Sequence, residues 1–195
     1  MSATKTSICN GALLLLGQEP SHVDVDTDTS VYAGDLKAAW DVAVDAAIRS
    51  HPWNFAMHYA SIGNDADTPT HGFDKRYTRP SDPWCLRVWK FSTEEHGVNP
   101  RYKVVGRYIY TDEGSPIKTV HIVRVTDTGL FDPSFVTLLE MILAAKVGFK
   151  ITGAMSVAEA MEERISKFRP QATAIDSQET GEEDDDEGEF LGSRW

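Results

Sequence analysis

Six histidines, two cysteines and thirty acidic residues are the groups in this 195-residue chain from which acid–base, metal or nucleophilic chemistry could be built. The histidines are His22, His51, His58, His71, His96 and His121. No two of them stand four apart, so no helix presents a paired ligand face. Zinc would have to be held by ligands scattered along the chain, and a metal-dependent hydrolase using such His and Asp residues is the alternative reading of function. Asp24-Val25-Asp26-Thr27-Asp28 opens like a calcium loop. Its sixth position is Thr29 where the loop needs Gly, and its twelfth is Asp35 where it needs Glu. An acidic loop feeding the positive end of a helix explains the same residues. Cys9 and Cys85 are isolated, with no CxxC pair, which suits a reducing compartment. Cys85, between Trp84 and Leu86, reads as a buried thiol acting as a small hydrophobe. No nucleophile elbow, P-loop, dinucleotide fingerprint or HExxH is present. The expectation is therefore a chain that is not an enzyme, with no catalytic residue, no metal ligand and no cofactor.

Charge narrows the choice of partners. The net charge is −11, and residues 176–195 hold nine acids and one Arg. The remaining 175 residues carry 21 acids and 18 Lys and Arg, a net of −3. A body so nearly balanced is a poor candidate for wrapping DNA by phosphate neutralisation, although it could surround DNA without gripping it. The apolar run Ala12–Leu16 is too short for a signal-peptide core or a membrane span, so no membrane is expected.

The elements that must position these groups are legible in outline. Residues 3–16 read as a first helix with Ile8, Ala12, Leu15 and Leu16 facing inward, stopped at Gly17. Residues 30–51 read as a rod of about 30 Å with Leu36, Ala39, Trp40, Ala43 and Ala47 on one face. Pro52 ends it, and Trp53 and Phe55, two apart in extended chain, fold back as an aromatic lock. A small antiparallel sheet is expected over 85–126, with a tight turn at Gly106-Arg107. The inward face of Cys85–Phe91 is either Leu86 with Val88 or Arg87 with Trp89. Asp132 and Pro133 start a third helix over 134–151, carrying Phe135, Leu138, Leu139, Ile142, Ala145 and Phe149. Ser156 and Glu159 form a capping box for a fourth helix over 156–169, which ends at Pro170. The fold class is α+β: about four packed helices, a small antiparallel sheet inserted between the second and third, and an extended C-terminal tail. The body covers 1–172 and the acidic tail 173–195.

Three stretches carry a resemblance. The first is Asn10-Gly11-Ala12-Leu13-Leu14-Leu15-Leu16-Gly17 with Glu19-Pro20, then the rod and Pro52-Trp53-Asn54-Phe55-Ala56. The second is Arg79-Pro80-Ser81-Asp82 with Cys85-Leu86-Arg87-Val88. The third is Phe131-Asp132-Pro133-Ser134-Phe135 with Leu143-Ala144-Ala145-Lys146 and the final helix. In this order and spacing the chain resembles the tail tubular protein A family of tailed bacteriophages, the head-to-tail adaptors, over about residues 5–172. Pro83-Trp84 before Cys85 departs from the shorter turn commoner in that family.

The resemblance implies a virion structural protein of the neck, present in the host cytoplasm before assembly. Such adaptors form a homo-oligomeric ring, typically of about twelve copies, beneath the portal protein. The ring extends the channel for double-stranded DNA, which passes without specific binding, and receives the tail nozzle or next tail component. On this reading Arg49 and Lys146, on exposed sides of the second and third helices, belong to the ring interface. Tyr102, Arg107, Tyr108 and Tyr110 form a tail-side docking edge, unless these tyrosines cover the sheet's own core. Phe190, Leu191, Arg194 and Trp195, beyond an acidic spacer, anchor the chain on the portal or a neighbouring subunit, unless they are incidental to a solvated end. Pro52, Trp53 and Phe55 are the structural lock.

Overall fold

The computed structural model describes residues 3–20, 24–91 and 100–179. The first helix, α1, runs Lys5–Leu15. Thr4 and Ser7 cap it reciprocally, and Gly17 leaves it at φ 70°, a left-handed geometry that glycine adopts without strain. The rod, α2, spans Val31–Ser50 and is capped by Ser30, whose side chain accepts from Ala33 N–H. His51 is extended, as the residue before a proline must be, so the rod stops there.

The lock forms through a different backbone from the expected one. Residues Asn54–Ala56 make a 3-10 turn rather than extended chain. That turn brings Trp53 and Phe55 into a stacked pair at 6.2 Å. Phe135 then meets both rings edge-on, at 5.1 and 4.9 Å, and Phe131 joins Phe55 at 5.4 Å. Trp53 is fully buried and its indole N–H donates to Ala47 O at 3.1 Å, which closes the end of α2.

Among the described residues six strands follow: β1 Met57–Ile62, β2 Lys75–Thr78, β3 Cys85–Phe91, β4 Tyr102–Val105, β5 Tyr108–Thr111 and β6 Ile117–Val123. They form two antiparallel three-stranded sheets, ordered β1-β6-β3 and β2-β5-β4, rather than the single sheet over 85–126. The strands missing from the expectation, β1 and β2, are edge strands without clean apolar alternation. On β3 neither expected inward face is realised. Irregularities between Cys85 and Arg87 and between Val88 and Lys90 break the two-residue period. Cys85, Val88 and Phe91 therefore point into a small core between the sheets, shared with Tyr77, Ile109 and Ile117. Leu86 and Trp89 turn the other way, onto the helical core. One sheet thus separates two cores.

Two helices complete the bundle, α3 Pro133–Thr152 and α4 Met155–Gln178. Asp132 caps α3 through Ser134 N–H, with Pro133 at its first turn. Helix α3 is central: α1, α2 and α4 all pack on it. Its buried set is Phe135, Leu138, Leu139, Leu143, Ala144, Val147 and Gly148. Phe149, expected inside, is instead half exposed, because the neighbouring helices leave that corner of α3 open.

The start and end of α4 both differ from expectation. The helix begins one residue early, so Ser156 lies inside the first turn and no capping box forms. Thr152 Oγ1 accepts from Ala154 N–H at the junction instead. At the other end the helix passes through Pro170 to Gln178, so the acidic tail does not start at 173. Proline inside a helix costs about 3 kcal/mol. Burial of Ala172 and the bonds of Asp176, described below, offset it. The overall class, α+β with four helices and a small antiparallel β module between the second and third, is as the sequence implies.

Candidate functional site

The outer face of the β2-β5-β4 sheet gathers aromatic and cationic side chains. Strand alternation puts Ile109 inward and Tyr108 and Tyr110 outward. Register then builds two cross-strand rows on that outer side. Tyr110 stands between Arg76 and Lys103, and Tyr108 between Thr78 and Val105. Phe73 lies against Tyr110 at 6.4 Å, and the Arg101 guanidinium sits 4.6 Å over the Phe73 ring. Arg76 lies 4.5 Å over Tyr108 while donating to Asp65 and Asp67 at 2.8 and 2.9 Å. A cleft of about 550 Å³ opens here, with Pro69, Phe73, Arg76, Lys103, Val105 and Tyr110 among its walls. Lys103 is exposed and makes no ion pair with any other described residue.

The four hairpin residues read from the sequence divide on this geometry. Tyr108 and Tyr110 belong to the outer face. Tyr102 faces the opposite side and stacks on Phe91 at 4.6 Å, where it edges the inter-sheet core. Arg107 is drawn inward: its guanidinium donates to Arg79 O at 3.1 Å and lies 4.1 Å over Trp84. It clasps the hairpin turn to the proline-rich 79–84 loop. The sequence omitted Arg76, Lys103 and Phe73. Lys103 faces Tyr110 across the β4–β5 hairpin, whereas Arg76 becomes its neighbour only once β2 is paired with β5.

The expected ring residues are exposed and separate. Arg49 ends α2 beside the sheets, and Lys146 lies in the half of α3 away from them. Helix α3 offers no long flat outer surface, since three helices cover it. The exposed stripe of the bundle runs instead along α2, through Val31, Ala38, Val42 and Arg49, and along the charged outer side of α4. The proposed anchor residues Phe190, Leu191, Arg194 and Trp195 lie outside the described residues.

Two polar clusters escaped sequence reasoning. The first closes the bundle near the sheets. Asp176 is 4 % exposed and accepts from Asn54 N–H at 3.1 Å, with His51 Nε2 at 3.1 Å on its other oxygen. Asn54 Nδ2 also donates to Asp176 O at 2.7 Å. The end of α4 is thus pinned to the α2–β1 junction. The second cluster is Cys85, His121 and Thr119 in the inter-sheet region. Cys85 Sγ lies 3.3 Å from His121 Nδ1, and His121 Nε2 lies 2.7 Å from Thr119 Oγ1. A neutral ring protonated at Nε2 satisfies both contacts, with the thiol donating to Nδ1. Burial pushes the thiol up and the imidazole down to about 4, with His58 and Arg79 adding to the latter. Thiol and neutral ring are the reverse of an activated thiolate pair, and both groups are closed to solvent. The arrangement is a packed polar bridge. Cys85 is the buried thiol that the sequence indicated.

In the 24–28 loop Asp24 accepts from Asp26 N–H, Asp28 from Ser30 N–H, and Asp26 pairs with Lys5. A smaller cavity of about 240 Å³ between α2 and the chain entering α3 is crossed by the Arg124–Asp45 ion pair. Among the described residues no group of three or more His, Cys, Asp and Glu could hold a metal ion, and no helix is long and apolar enough to cross a membrane. No protein-family model matches the chain, and no curated protein matches it either.

Proposed function

We propose that the chain is a head-to-tail adaptor of a tailed bacteriophage virion, one subunit of a ring of about twelve that joins the portal to the tail and continues the DNA channel. The sequence resemblance motivates this reading. The observation that carries it furthest is the β module inserted between α2 and α3, which bears an exposed aromatic and cationic face away from the bundle. A ring subunit needs two different lateral faces for its neighbours and a further surface for an axial partner. The stripe along α2 and the outer side of α4 supply the former, and Tyr108, Tyr110 and Lys103 supply the latter. DNA slides through such a ring without capture, because its body carries little net charge to hold phosphate.

The test is a mass measurement of the purified protein mixed with purified portal protein. Attachment as a ring of about a dozen supports the adaptor. Failure of the chain to attach or to form a ring on the portal rejects it. Tail-side docking is then examined with Tyr108→Ser and Lys103→Glu in the assembled ring. Both should spare portal attachment and block addition of the next tail component. Point changes are required because β5 is the central strand of its sheet, so deleting it would remove buried Ile109.

A further inference from the structure

The polar centre of the small core between the sheets is an uncharged imidazole. We infer that a proton on His121 releases the β2-β5-β4 sheet from the β1-β6-β3 sheet while the four helices stay packed. The inference does not rest on the adaptor reading and stands or falls separately.

Geometry is the first argument. His121, Cys85 and Thr119 are 0 %, 1 % and 1 % exposed, so the ring meets no water while the sheets are closed. Both of its nitrogens are committed, Nδ1 to Cys85 Sγ at 3.3 Å and Nε2 to Thr119 Oγ1 at 2.7 Å. The neutral ring lets the thiol donate to Nδ1. A proton at Nδ1 removes that acceptor and sets two donors against each other. The surroundings are the second. His58 stands opposite His121 in the β1–β6 register, and Val88 stands opposite it on β3. Arg79, just after β2, lies close enough to disfavour charge on the ring, and Arg79 and Arg107 both act on the Cys85 thiol. Tyr77 closes the same core, donating its hydroxyl to Glu113 O, and Glu113 acts on Tyr77 rather than on the ring. His121 thus faces cationic and neutral groups and, among the described residues, no carboxylate. A buried imidazolium without a partner is relieved by reaching water.

Direction is the third. Arg79 is carried by the outer sheet: its N–H donates to Arg107 O at 2.9 Å, and Arg107 Nη2 donates back to Arg79 O at 3.1 Å. His121 and His58 are carried by the inner sheet, on β6 and β1. Charge on His121 therefore repels Arg79 across the seam between the sheets. In that seam Tyr77 and Ile109 of the outer sheet pack with Cys85, Val88, Phe91 and Ile117. Ile122, Leu86 and Trp89 hold the inner sheet on the helical core from its other face, where the charge does not act.

The experiment is amide hydrogen exchange of the full chain in low urea at pH 7.5 and pH 5, with each rate divided by its intrinsic chemical rate. Amides of β5 should exchange through an opening with a smaller urea slope than Leu138 and Leu143 of α3 show. The ring is depressed to about 4 from 6.5, so the open form takes up the proton first. The equilibrium for that opening should rise about thirtyfold between the two pH values. His121→Gln should remove most of the rise, and His58→Gln should keep it. The ring of the parent protein, followed by NMR, should stay neutral down to pH 5 in the closed form, a readout that needs no variant. Equal urea slopes for β5 and α3 overturn the proposal, because sheets and helices then open as one unit. A rise that survives His121→Gln overturns it, as does a ring that titrates near 6.5 with the β5 amides still protected.

Discussion

Asp176 shows how one buried acid ties distant segments together. Its oxygens hold Asn54 N–H and His51, and neither partner adjoins it in sequence. Truncation to Ala leaves those groups facing a void. Asp176→Ala should lower stability by about 1–3 kcal/mol in urea denaturation. His121 makes a prediction in pH. Its folded value is depressed to about 4 from an ordinary 6.5, chiefly by burial. The unfolded chain therefore takes up a proton below pH 6.5 while the folded chain does not. Stability contributed by the neutral ring is full above 6.5, falls as pH drops towards 4, and levels off below. Each pH unit is worth about 1.4 kcal/mol, so the loss amounts to roughly 3 kcal/mol. Denaturation midpoints of His121→Gln and the parent, compared between pH 7 and pH 4, should show a shallower slope for the variant.

At the level of elements, α4 carries the sharpest consequence. Pro170 removes one backbone donor and crowds the preceding turn. Pro170→Ala should raise the stability of the protein by about 1–3 kcal/mol, read by the same denaturation. Gly148 lies where α3 meets Leu16 and α4. A Cβ there would lie 3.3 Å from Leu16 Cδ2 and 3.8 Å from the Ala158 backbone. Gly148→Val should cost about 1–3 kcal/mol, since the added methyl groups must displace the Leu16 side chain and crowd the Ala158 backbone. These elements also show what the sequence could convey. The four helices announce themselves through the stops at Gly17, Pro52 and Gly153, the Asp132–Pro133 start of α3 and a three-to-four spacing along each one, while the capping box read at Ser156 does not form. Local rules, however, place a stop at Pro170, whereas burial of Ala172 and Asp176 carries the helix on. Strand β3 defeats pattern reading because its bulges send every third residue inward. The Lys103–Tyr110 part of the outer row follows from the hairpin, but Arg76 joins it only through the pairing of β2 with β5, which no local pattern announces.

For the whole molecule, assembly should respond to faces rather than to the core. Arg49→Glu and Lys146→Glu should each leave the denaturation curve within about 0.5 kcal/mol of the parent, as exposed substitutions do. If the adaptor reading holds, at least one should reduce ring formation on the portal, measured by mass. Ending the chain at Glu179 keeps every buried residue of α4 and should preserve the fold; on the adaptor reading it should also abolish the proposed portal attachment through Phe190, Leu191 and Trp195. Ending it at Arg169 instead removes Ala172 and Asp176 and should destabilise the bundle. The contrast separates loss of an anchor from loss of a helix.

The division into two cores has a further consequence. Cys9 sits in the large helical core and Cys85 in the small one between the sheets. The chain thereby contains one sealed thiol per folding unit. Alkylation under native conditions, followed by intact mass, counts opening events in each unit separately. If the cores open as one, the singly modified species never accumulates. The smaller core has far fewer buried side chains to break apart. Modification at Cys85 ahead of Cys9 would show the β module melting on an intact bundle, a partly unfolded state whose sheets are free to rearrange while the helices hold their partners.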